Sequence, residues 1–82
     1  ADIREQTTAL LARTGGLFAK FGTDKNHMIS ATLYITDMKL RDEMNEVWNG
    51  WVNEGCAPAR VCVEVGLPGD YLLEMSVIAE VL

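Results

Sequence analysis

Apolar residues recur along the chain at two periods, and each change of period marks a new element. From Asp2 to Phe21, the residues Ile3, Leu10, Leu11, Leu17, Phe18 and Phe21 fall on one side of a helix. Asp2 followed three residues later by Glu5 forms a capping-box pattern, and Gly22 supplies the stop. Gly15 and Gly16 inside this helix each cost about 1 kcal/mol relative to alanine, which points to close packing against a neighbour. After the turn GTDKNH, the stretch MISATLYIT has period two: Ile29, Ala31, Leu33 and Ile35 alternate with Met28, Ser30, Thr32 and Tyr34, as in a strand. KLRDEMNEVWNGWVNEG returns to the helical period, with Leu40, Met44, Val47, Trp48, Trp51 and Val52 on one stripe and Gly55 as the stop. Two further strands follow around the turn GLPGD. The first, Ala59 to Val65, directs Val61, Val63 and Val65 to the core; the second, within YLLEMSVIAEV, directs Leu73, Met75, Val77 and Ala79 there.

This order predicts an α/β (α+β) domain with a mixed sheet. The unit from Met28 to Val65 is a strand, helix and strand, which form a right-handed crossover with the strands parallel. Both helices then cover one sheet face. Period two sends Arg60, Cys62, Glu64, Glu74 and Ser76 to the other face, together with Leu72, Ile78 and Met28. A face mixing charges with large apolar side chains is expected to be covered by another subunit. An arginine and a glutamate covered in this way need partners, because a charge buried alone is costly.

Composition narrows the reading. A chain of 82 residues makes at most one domain with a small core, so its stability is expected to depend on association. With 49% hydrophobic and 23% charged residues it lies outside the disordered range. No apolar run approaches the roughly 20 residues of a membrane span, and the start lacks the pattern of a signal peptide, so the expected location is cytoplasmic. Cys56 and Cys62 lie six apart without CxxC spacing, and His27 stands alone in a turn. Reduced thiols and no metal are expected. The net charge of −5 spreads seven basic residues among twelve acidic ones, which argues against nucleic acid as the main ligand.

The segment PARVCVEVGLPGDYLLEMSVIAEV, together with DIREQT, ATLYITDM and MNEVWNGWV, resembles the Rid family of reactive-intermediate deaminases, also called the YjgF family. The most specific part is PAR with a cysteine two residues later, followed after a short loop by a strand of the form LLEM. The loop VEVGLPGDYLLE is one residue shorter than in the best-known members. The resemblance implies a chorismate-mutase-like subunit, a homotrimer with pockets between subunits, and cofactor-free hydrolysis of 2-imino acids and enamines such as 2-aminoacrylate to 2-oxo acids and ammonia. By position, Arg60 matches the arginine that grips the substrate carboxylate, Glu74 the glutamate that positions water, Cys62 the pocket cysteine and Asn45 a pocket-lining asparagine. The chemistry suits these types: a guanidinium holds a planar carboxylate with two parallel hydrogen bonds, and a nearby carboxylate orients water and shuttles a proton.

Each assignment has a plainer counterpart. Arg60 and Glu74 form an ion pair across the sheet, Cys62 is a small buried hydrophobe, Asn45 caps a polar rim, and strand packing explains Tyr34 and Ser76. The resemblance also implies a strand hairpin ahead of DIREQT that pairs with the last strand; residues 1–82 do not include it, so they are expected to be N-terminally incomplete relative to the family, with that edge expected to be open without the hairpin. Other readings are a non-catalytic 2-oxo acid or amino acid binder, a ribonuclease or translation inhibitor, and a purely structural interaction protein.

Overall fold

In the computed structural model, residues 2–82 are described, and they form two helices over a three-stranded sheet. The elements are α1 (Ile3–Lys20), β1 (Met28–Ile35), α2 (Arg41–Trp51), β2 (Ala59–Glu64) and β3 (Leu73–Ala79), with single 3₁₀ turns at Lys25–His27 and Met38–Leu40. The sheet order is β2-β1-β3, with β1 parallel to β2 and antiparallel to β3. The mixed sheet and parallel crossover are as the sequence predicts. No helix among the described residues is long and apolar enough to cross a membrane.

The ends of α1 follow from its terminal residues. Asp2 accepts a hydrogen bond from the Glu5 N–H at 2.8 Å. At the other end Gly22 takes φ +78°, which lets its own N–H reach Ala19 O and the Thr23 N–H reach Phe18 O. The buried stripe differs from the purely apolar one expected. Ile3, Leu11 and Phe18 are buried, but Thr7 and Thr14 complete the line, while Leu17 and Phe21 stand 50% and 65% exposed. The threonines enter the core because each Oγ1 donates to the carbonyl four residues earlier, Ile3 O and Leu10 O, and so carries no unmet hydroxyl.

Helix α2 buries Met44 and Trp48 as its stripe predicts, but it ends at Trp51 rather than at Gly55. Val52 is already extended, with its N–H on Trp48 O. Lys25 crosses from the loop before β1 to donate to Trp51 O and to stand 5.2 Å from the Trp51 ring, satisfying a terminal carbonyl of α2.

Two strands depart from simple alternation. In β1, Ala31, Leu33 and Ile35 point to the helices, but a bulge between Met28 and Ser30 resets the parity, so Met28 is buried and Ile29 is 58% exposed. In β2 the expected faces are reversed. Parallel register pairs Ala31 with Arg60, Leu33 with Cys62 and Ile35 with Glu64, and it pairs Thr32 with Val61 and Tyr34 with Val63. Paired residues share a face, so Arg60 and Cys62 turn toward the helices and Val61 and Val63 toward the open face. Alternation alone identifies two faces without saying which is which; the apolar set of β1 decides it, and Val61 is left 57% exposed. On β3, Leu73, Met75, Val77 and Ala79 pack on the core side as expected, with Glu74, Ser76 and Ile78 outward.

Candidate functional site

Arg60 reaches the helix layer by laying its guanidinium over the Trp48 ring, with Cζ 5.3 Å from the ring centroid. The contact uses an apolar stem and a delocalised cation against an aromatic face, which lets a charged residue occupy a core-facing position. Nη1 of Arg60 is buried and has no hydrogen-bond partner among the described residues. The same is true of Asn45 Oδ1, one turn before Trp48 on the same side of α2. Cys62, two residues beyond Arg60, packs against the core as a free thiol. The structure therefore brings Arg60 onto Trp48 of α2, with Cys62 on the same face of β2 and Asn45 one turn along α2.

Glu74 does not join them within one protomer. It pairs in register with Tyr34 on the open face, so Arg60 and Glu74 lie on opposite sides of the sheet. This corrects the expectation of a shared face and removes the ion pair that was its plainer reading: Arg60 makes no salt bridge among the described residues. Glu64 is engaged elsewhere, its Oε1 accepting the Met38 N–H at 2.7 Å. His27 pairs with Asp24, and among the described residues no three His, Cys, Asp or Glu side chains cluster as metal ligands.

The electrostatics of Arg60 follow from its surroundings. Burial lowers its affinity for a proton below that of an ordinary arginine; Cys62 acts in the opposite sense, and the charge of Arg41 adds to the lowering. A guanidinium so placed lacks both the water it would have on the surface and a carboxylate to replace it. Its buried Nη1 is a donor left without an acceptor among the described residues. Asn45 Oδ1, one turn from Trp48 along α2, is likewise a buried acceptor with no partner among the described residues. Sequence reasoning placed Trp48 in the core stripe only; its spacing from Asn45 was the available signal that it shares their side. Arg41 was not singled out, and nothing in its local sequence marks it.

A cleft of about 440 Å³ lies elsewhere, between α1 and β3, lined by Gln6, Ala9, Arg13, Asp70, Tyr71 and Leu73. None of Arg60, Cys62, Asn45 and Glu74 is among its walls.

A family sequence model described as Endoribonuclease L-PSP matches residues 1–81. The RutC family protein YoaB of Escherichia coli K12 is 35% identical over 82 residues, covering 99% of this chain and 72% of that protein. A crystal structure of a YjgF protein family member from Neisseria meningitidis superposes with a TM-score of 0.95 at 38% identity, covering 98% of this chain and 68% of that one. The crystal structure of E. coli TdcF with bound serine gives a TM-score of 0.90 at 32% identity, covering 96% of this chain and 65% of that one.

Proposed function

Because the chain belongs to the YjgF/Rid family, we propose that it hydrolyses reactive 2-imino acids, and the enamines that tautomerise to them, to 2-oxo acids and ammonia. The observation that carries this reading is the partnerless Arg60 Nη1 held over Trp48. The substrate carboxylate supplies the missing partner, with two parallel hydrogen bonds that fix the imine carbon. Asn45 Oδ1 accepts the imine N–H, and Cys62 forms a wall. TdcF holds serine, a small α-amino acid whose dehydration yields 2-aminoacrylate, which supports the same ligand class here.

Glu74 belongs to the reaction through a second copy of the chain. Since it lies on the sheet face opposite Arg60, the two residues meet only where the open face of one subunit approaches the β2–α2 side of another, as in a trimer with pockets between subunits. There Glu74 orients a water and takes its proton while the oxygen bonds to the imine carbon and the C=N electron pair moves to nitrogen. The proton passes to nitrogen to give the carbinolamine; its hydroxyl proton then follows to nitrogen, the C–N electron pair leaves on ammonia, and the C=O of the 2-oxo acid forms. The endoribonuclease description of the family finds no basic surface here, with seven basic residues scattered among twelve acidic ones.

Ammonia release from enzymatically generated 2-aminoacrylate tests the reading. Arg60→Ala is expected to lower kcat/KM about 10²-fold, and Arg60→Lys nearly as much, because lysine keeps the charge but loses the planar fork. A folded Arg60→Ala protein acting at the parental rate would refute the assignment.

A further inference from the structure

We propose that this site prefers acids bearing a second anionic group, a 2-imino or 2-oxo dicarboxylic acid, and that Arg41 reads that group. The inference rests on the Arg60 reading above. Arg41 opens α2, and Asn45 and Trp48 follow it on the same side of the helix at steps of four and three. Arg60 comes over Trp48 from β2, so one side of α2 presents Arg41, Asn45 and the Arg60 guanidinium in sequence.

Arg41 and Arg60 share this side of the helix. Neither forms an ion pair among the described residues. The neighbouring acids make contacts of their own: Glu43 and Glu46 both pair with Arg4, and Glu64 accepts the Met38 N–H, so none of the three ion-pairs with Arg41 or Arg60. Asp42 points about 100° round the helix from Arg41. The Arg41 charge is felt at Arg60, in the same sense as burial. A monocarboxylate neutralises Arg60 and leaves Arg41 to solvent. A dicarboxylate places its α-carboxylate on Arg60, passes Asn45 and brings its distal carboxylate to Arg41, neutralising both cations and removing their repulsion.

Calorimetric titration of the protein with 2-oxoglutarate and with 2-oxobutanoate separates the possibilities. The expected result is about fivefold tighter binding of 2-oxoglutarate, the scale of a partly exposed ion pair. Arg41→Gln should bring the two affinities together while weakening 2-oxobutanoate by no more than about twofold, whereas Arg41→Lys should retain most of the preference. The preference should also shrink with added salt. If 2-oxobutanoate binds in an Arg60-dependent way but the preference is absent, or survives Arg41→Gln, the inference is wrong and the proposed function stands. If neither acid binds, both fall together.

Discussion

Arg60 occupies a position that its charge alone would not choose. It sits in register with Ala31 on the helix-facing side of the sheet, and only the Trp48 ring offsets part of the lost hydration. On the proposed reading, a bound carboxylate would return the stability lost by placing a cation there. Glu74 is the contrasting case: exposed, paired in register with Tyr34 and free of any ion pair among the described residues. Glu74→Gln keeps its shape and removes the proton acceptor, so kcat should fall about 10²-fold while the affinity for 2-oxobutanoate changes little. Equal losses in both would assign Glu74 to binding instead. At this scale the family resemblance was legible in the sequence, because PAR with its cysteine and the LLEM glutamate carry it, and the roles of Arg60, Cys62, Glu74 and Asn45 belong to the proposal. Their placement was not. The face on which Arg60 lies depends on its pairing with Ala31, a contact that the local pattern of β2 does not encode.

Elements rather than single side chains explain why the DIREQT stretch is shaped as it is. Asp2 caps α1, Ile3 and Thr7 enter the core, and Arg4 bridges to Glu43 and Glu46 on α2. Gln6 holds the loop before β3 with both ends of its amide: Nε2 donates to Asp70 O at 2.9 Å, and Oε1 accepts the Leu72 N–H at 2.8 Å. That clamp sets the start of the strand carrying Glu74. Gln6→Ala should destabilise the fold by about 1–2 kcal/mol and lower Tm by several degrees. It should also speed hydrogen exchange at the Leu72 amide; unchanged exchange there would show that the loop is held by other contacts. Element types and most boundaries were readable, since periods of two and of three to four are distinct in β1, α2 and β3. The exceptions have local causes. Thr7 and Thr14 read as polar because their bonds to Ile3 O and Leu10 O exist only once the helix has formed. The bulge after Met28 exists only against β3.

As a whole, the molecule leaves an apolar face uncovered. Val61 and Ile78 are 57% and 60% exposed on the side of the sheet away from the helices, the side that also carries Glu74. Burying this face against another copy, as the proposed site requires, would draw on the same hydrophobic effect that packs the helices. Association would also place one subunit's Glu74 near another's Arg60, which a lone protomer holds on opposite faces. The proposed site is built from two copies of the chain, and subunit mixing tests that sharing. Arg60→Ala and Glu74→Gln proteins, each nearly inactive in ammonia release, are unfolded together, refolded as a mixture and assayed again. Random assembly pairs an intact Arg60 with an intact Glu74 in about a quarter of the sites, so the mixture should recover about a quarter of the parental activity. A mixture that forms mixed oligomers yet stays as inactive as its components would contradict a shared site.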